Sequence, residues 1–175
     1  MQKRSGGPDL EFSGLAYCVA FNSRKAARAV TRLYDSALAP VGVRSTQLAV
    51  LIALAKSQPL SIGRLAEILS VDTTTLTRSL RPIRKQGLLA ISERSAMRQR
   101  FVTLTRKGTR ALKDGMPLWR DVQTRFAKAI GEDHWKVLQQ ELARVSATAR
   151  RLELGRSQRS RHQASRASCG NSRYN

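Results

Sequence analysis

The segment TTTLTRSLR at residues 73–81 puts hydroxyls and guanidinium groups at spacings suited to the edges of DNA bases. Wound into a helix, it places Leu76 and Leu80, with Ile83 beyond, on one face. Thr73, Thr74, Thr75, Thr77, Arg78 and Arg81 are left on or near the other. A threonine hydroxyl bonds a base or a phosphate, its methyl touches the thymine methyl, and arginine grips guanine through two parallel bonds. The plainer reading of such a start is a good helix cap region, because Ser, Thr and Asp satisfy unpaired N–H groups there. Downstream, Arg94, Arg98 and Arg100 fall in a polar stretch between two apolar runs. Guanidinium groups at a hairpin tip suit the negative potential of a narrow minor groove; an ordinary charged hairpin tip is the alternative.

The charge around these segments supports an anionic partner. The chain carries 32 Lys and Arg against 12 Asp and Glu, for a net charge of +20. Eleven basic and three acidic side chains fall within residues 61–110. Clustering of this kind is the electrostatic footprint of phosphate contacts. A membrane surface would also attract it, but no helix pairs an exposed apolar face with a basic one, and no membrane partner is expected. The apolar run Leu15–Phe21 is short for a signal-peptide core, and Asp9 and Glu11 precede it where such a peptide carries positive charge.

Other chemistries find little support. Two cysteines, Cys18 and Cys169, make no disulfide framework, which fits a reducing cytoplasm. Cys18, among Leu15, Ala16, Val19 and Ala20, reads as a small buried apolar residue; a redox-sensing thiol is the sharper alternative. His134 and His162 stand apart from any ligand-like spacing, so no metal is expected. No Walker loop, dinucleotide fingerprint or nucleophile elbow occurs, which argues against an enzyme or a cofactor.

Several elements must position the candidate residues. The spacing predicts a helix over residues 13–39, ended by Pro40 and Gly42, and a second over 44–56, broken by Pro59. A short helix over 61–69 follows, with Ser61 as its cap. After a three-residue connection the helix of Thr73 runs to Gln86, capped by Asp72 and stopped by Gly87. Leu88–Ser92 and Phe101–Thr105 read as strands of a hairpin. Leu112, Gly115, Trp119, Val122, Phe126 and Ala129 then recur at alternating spacings of three and four. Trp135, Leu138, Leu142, Val145, Ala149 and Leu152 do the same in a last helix, for which Asp133 is the expected cap. Such a repeat is the seam of a helix packed on helices. Helix, turn, helix and hairpin in that order make a winged helix-turn-helix, in a fold that is mainly α with a small β-hairpin wing.

The segments RLYDSALAPVGVRSTQLAVL (32–51), SIGRLAEILSVDTTTLTRSLRPIRKQGLL (61–89) and RQRFVTLTRKG (98–108) resemble the MarR family of transcriptional regulators. The resemblance covers residues 13–153. It implies a homodimer with interleaved N- and C-terminal helices and a reading helix from Thr73 in the major groove. It places the family's wing arginine on Arg98, where the usual Asp two residues earlier is Ala96. Relatives often bind small aromatic anions between the dimer helices and the winged domain. The thiol of the family's hydroperoxide sensors aligns with Ala20, two residues from Cys18. The organisation expected is a flexible arm over 1–12, a domain over 13–154 and a disordered basic tail over 155–175. Within the domain, 13–43 and 106–154 supply dimerisation helices and 44–105 the winged helix-turn-helix. Two functions compete: an effector- or thiol-controlled regulator with a defined palindromic site, and a sequence-tolerant architectural protein bound mainly through charge.

Overall fold

A computed structural model describes residues 14–94 and 99–170; for Glu93, Arg94, Leu154 and residues 156–170 it gives the backbone alone. The expected arm at 1–12 and the wing residues Ala96 and Arg98 lie outside the described residues. The chain divides into two compact units, Met1–Gln123 and Thr124–Asn175.

The first unit begins with α1 (Gly14–Tyr17) and α2 (Val19–Leu38). The single helix expected here is interrupted at Cys18, whose backbone is extended at φ −72° and ψ 112°. The Asn22 side-chain amide donates to the carbonyl of Ala16 at 2.7 Å and holds the interruption. Cys18 is half-buried, not a core residue as expected. A 3₁₀ turn over Ala39–Val41 follows, and Gly42, at φ 66°, reverses the chain into α3 (Ser45–Ser57).

Next come β1 (Leu60–Ser61), α4 (Ile62–Leu69) and α5 (Thr73–Lys85), then β2 (Leu89–Arg94), β3 (Gln99–Leu104) and α6 (Arg106–Ile130). The strands form an antiparallel sheet in the order β1-β3-β2. Leu89 pairs with Leu104 and Arg94 with Gln99, while Leu60 and Ser61 pair with Val102 and Phe101. β1 is a third strand that the sequence reading lacks. Two residues are too few to show an alternation.

The core explains the helix periods. Leu48, Leu51 and Leu54 of α3, Leu65 of α4, and Leu76, Leu80 and Ile83 of α5 are all at most 1% exposed and meet in one cluster with Leu38 and Val102. α5 ends as expected at Gly87, which has φ +72°. The Gly87 N–H donates to Arg84 O at 2.8 Å and the Leu88 N–H to Ile83 O at 3.1 Å. This paired arrangement satisfies two carbonyls of the last turn.

α6 docks on that turn through Thr105 and Gly108. The Thr105 hydroxyl donates to Gly87 O at 2.6 Å and accepts from the Gly108 N–H at 3.0 Å. Further along α6, Gly115 lies against Leu38, Leu48 and Val41 of its own unit. Leu112 and Trp119 are packed against the same core. The start of the predicted seam on α6 is thus spent on the protomer's own packing. The Tyr34 hydroxyl hydrogen-bonds Gln123 Oε1, and burial pushes its pKa up.

The second unit holds the end of α6 and α7 (Glu132–Gly170). Gly131, at φ +93°, separates the helices and accepts from Trp135 N at 2.8 Å. Asp133 is therefore inside the first turn, not the cap; it pairs with Lys136 at 3.6 Å. Phe126 and Trp135 meet edge to face at 5.9 Å. α7 runs on to Gly170, so residues 155–170, expected as disordered tail, continue the helix. No proline interrupts them, and Arg, Gln and Ala are tolerant helix formers.

Candidate nucleic-acid interface

The turn between α4 and α5 sets the geometry of the interface. α4 starts at Ser61, whose hydroxyl accepts from the Arg64 N–H at 3.2 Å as expected. It closes on Ser70 in the left-handed region at φ 54°. Val71 N–H returns to Ala66 O at 3.0 Å. α5 then starts at once under the cap of Asp72, which accepts from the Thr75 N–H at 2.8 Å and from its hydroxyl. The Thr75 hydroxyl, then the Thr75 N–H, hold the Asp72 carboxyl below its ordinary value. A carboxylate at a helix N-terminus also matches the macrodipole, as Arg84 and Lys85 do in the last turn of α5.

This cap makes a prediction with a definite sign. A depressed native pKa stabilises the fold fully above the ordinary value of 3.8, and that contribution is lost as pH falls through the lower native value. Asp72→Asn keeps an oxygen acceptor but removes the titration. Thermal melts between about pH 6 and about pH 3 are expected to show the parent losing more stability than the Asn variant at the acid end. Parallel curves would remove Asp72 from the acid response.

The predicted reading residues separate into two groups. Thr73, Thr74, Arg78 and Arg81 are exposed on α5. Among the described residues none of these side chains has a hydrogen-bond or ion-pair partner. Thr75 and Thr77 are spent internally, the first on Asp72 and the second on Thr73 O at 2.7 Å. Their hydroxyl protons are committed to the helix's own start, leaving fewer free donors than the sequence count suggests. Arg64, on the preceding helix, is paired with Glu67 at 2.7 Å.

On the wing, Arg100 is exposed on β3, opposite Glu93 in register. The backbone of Arg94 closes the last pair of β2 with Gln99. Arg98 lies beyond the described residues, so α5 and Arg100 are the parts of the predicted surface whose placement is seen.

Two cavities lie in the first unit, one of them against α5. One, of about 620 Å³, lies between α3 and α5, walled by Val50, Leu69, Val71 and Ile83 with Arg44 at its edge. The other, of about 410 Å³, lies by the α2–α3 turn, lined by Val41, Val43 and Leu88 with Lys107, Arg110 and Asp114 from α6. Gln86 touches both. The sequence reading missed Gln86, and also Gln47, its hydrogen-bond partner. No local pattern marks Gln86; Gln47 stands at the third position of α3, where a glutamine reaching back to the cap N–H is a capping signature. Thr105 and Gly108 were detectable, since a hydroxyl three residues before a glycine at a strand-to-helix junction suggests a cap beside a close approach.

No protein-family model matches the chain, and no curated protein sequence does. Solved structures do. The Mycobacterium tuberculosis transcriptional regulator MosR in complex with DNA is 33% identical, with a TM-score of 0.70 over 75% of this chain and 96% of that one. The Streptomyces coelicolor regulator PcaV, solved with its natural ligand, is 22% identical, with a TM-score of 0.69 over 77% and 96%. A point mutant of Escherichia coli MarR, solved on operator DNA, is 21% identical, with a TM-score of 0.65 over 80% and 99%. The last two likenesses speak to the fold alone; the first also carries sequence. Among the described residues no single helix is long and apolar enough to cross a membrane.

Proposed function

The chain belongs to the MarR family of winged helix-turn-helix transcriptional regulators, and we propose that it is a homodimeric, sequence-specific DNA-binding regulator whose affinity for DNA is set by a small-molecule effector. The observation that carries this reading is the outer face of α5. Thr73, Thr74, Arg78 and Arg81 are exposed there, without partners among the described residues, on a scaffold shared with a regulator solved on DNA. In a helix-turn-helix the N-terminal part of the second helix meets the base edges. Arg78 sits six residues after the Asp72 cap and acts as the guanine reader; Arg81, one turn further on, and Arg100 on the wing take phosphates.

The cavity between α3 and α5 supports an effector of this kind. Its largely apolar lining, with Arg44 as the one charged residue, suits a small aromatic or otherwise apolar anion. PcaV, of like fold, was solved with its natural ligand. An occupant would press on Leu76 and Ile83, the residues that seat α5 on the core. Control through the half-buried Cys18 thiol is the lesser route.

Selection of bound duplexes from random DNA tests the proposal. The expected product is a pseudo-palindrome with half-site centres about 10 base pairs apart. Its affinity should exceed that for random DNA by roughly 10³-fold or more. Equal affinities would support the architectural reading instead, in which the charge of +20 does the binding. Arg78→Ala is expected to cost about 1–3 kcal/mol on the selected site and to relax preference at one base pair per half-site. A uniform loss across sequences would make Arg78 a phosphate contact.

A further inference from the structure

Gln47 is the one polar residue among the buried side chains described, at 8% exposure. A primary amide in a core is tolerated only if its donor and acceptor are used. Both are. Its Oε1 accepts from the Arg44 N–H at 2.9 Å, and its Nε2 donates to Gln86 Oε1 at 3.2 Å. Gln86 is the residue that ends α5, its own N–H returning to Pro82 O at 3.0 Å. At the other side of the same turn, Asp35 of α2 accepts from both the N–H and the hydroxyl of Ser45, each at 2.7 Å. Hydrogen bonds thus run from α2, through the first turn of α3, to the end of α5.

The apolar contacts of α5 do not replace this link. Leu76, Leu80 and Ile83 hold the helix against the core through contacts that are non-directional. The hydrogen bond at the Gln86 end adds a directional constraint. α5 has 13 residues and is about 20 Å long, so a tilt of about 3° at Gln86 displaces the Thr73 end by roughly 1 Å. Base readout depends on side chains held within about half an ångström.

We infer that the Gln47–Gln86 amide pair is a positioning element for DNA reading, tying the orientation of α5 to α2 through the Asp35–Ser45 bonds. Neither glutamine needs to touch DNA. The inference rests on the reading of α5 as the recognition helix. Because Gln86 lines both cavities, an occupant of either one meets the amide that orients the reading surface.

The test uses the full chain, a selected duplex and a random duplex of equal length. Gln86 is exposed, so its replacement displaces no buried side chain, and the core group affected is the Gln47 amide, which loses its acceptor. Gln86→Met removes the acceptor. Gln86→Glu keeps an acceptor for Gln47 Nε2. The expected result is that Gln86→Met lowers the ratio of selected to random affinity roughly five- to tenfold, the effect of one net hydrogen bond. Its affinity for random DNA should stay within about twofold, since phosphate contacts tolerate small tilts. Gln86→Glu should retain most of the ratio. The double variant Gln47→Met/Gln86→Met should lose no more ratio than Gln86→Met alone, as coupled partners do. A parent that discriminates beside a Gln86→Met variant with the parental ratio would overturn the inference and leave the proposed function standing. Equal losses on both duplexes would overturn it too, because that is what a merely structural role predicts. A parent that does not discriminate would overturn the proposed function, and the inference with it.

Discussion

Gly108→Ala is expected to destabilise the first unit by about 3 kcal/mol or more, lowering its melting temperature by roughly 10 °C or more. A Cβ built on Gly108 would stand 1.9 Å from the Leu88 carbonyl oxygen and 2.9 Å from its carbon. Those atoms are backbone and have no rotamer to change. Leu88 O already accepts from the Thr105 N–H at 3.2 Å, and the Thr105 hydroxyl is clamped between Gly87 O and Gly108 N. Relief therefore requires α6 to move away from the junction of α5 and β2. That movement opens the turn that ends α5 and loosens the base of the wing, so DNA binding should fall along with stability.

The sign makes the experiment decisive. If Gly108 were an indifferent helix residue, alanine would stabilise it by up to about 1 kcal/mol through helix propensity. Gly63, exposed in α4, provides that comparison, because a Cβ added there would meet nothing within 4 Å. Gly63→Ala should raise the melting temperature slightly. Gly115→Ala should fall between the two, because its nearest neighbour, at 3.3 Å, is a side-chain methyl of Leu48 and not backbone. Urea denaturation of the three variants ranks them; a stabilised Gly108→Ala would show that α6 is not clamped at this point.

The same residues show where the sequence was informative. Elements whose one face is buried wrote their period into the chain. Ile62, Leu65 and Ala66 of α4 and Leu76, Leu80 and Ile83 of α5 were legible for that reason, as were the caps Ser61 and Asp72, which act within three residues. What depends on distant partners was not legible. β1 exists because β3 pairs with it across some forty residues of chain, and the Gln47–Gln86 bond joins side chains 39 apart. The interruption at Cys18 has no glycine or proline to announce it; a side-chain bond from Asn22 holds it. Of the hydroxyls counted as readers, the sequence could not tell that Thr75 and Thr77 are occupied by the start of their own helix. The place of α5 as the second helix of the helix-turn-helix was legible, and the set of side chains left free on it was not.

Leu142→Asp is expected to convert the proposed homodimer to a monomer and to weaken DNA binding with it. Within α7, Val137, Leu142, Val145 and Leu152 are 56%, 55%, 41% and 63% exposed. Leu142 and Leu152, with Val145 and Ala149 between them, follow the seam spacing read from the sequence, yet nothing in their own unit covers them. An apolar stripe of that length on a helix facing water calls for a second helix. In a two-fold dimer the same residue is buried in both copies, so each substitution is felt twice. Burying one leucine is worth about 2 kcal/mol. Losing two costs about 4 kcal/mol, near 10³-fold in the dimer dissociation constant, before any cost of placing carboxylates in the seam. Because Leu142 is exposed in the protomer, helicity and the melting of the first unit should change little, which separates loss of assembly from loss of fold. Sedimentation at micromolar concentration should give twice the chain mass for the parent and one chain mass for the variant. A single protomer keeps one α5 for one half-site, so its affinity for the palindrome should drop toward that for random DNA. A Leu142→Asp protein that remains dimeric would place the interface elsewhere, with the exposed Leu15, Val19, Phe21, Val30 and Leu33 of α1 and α2 as the next surface to test.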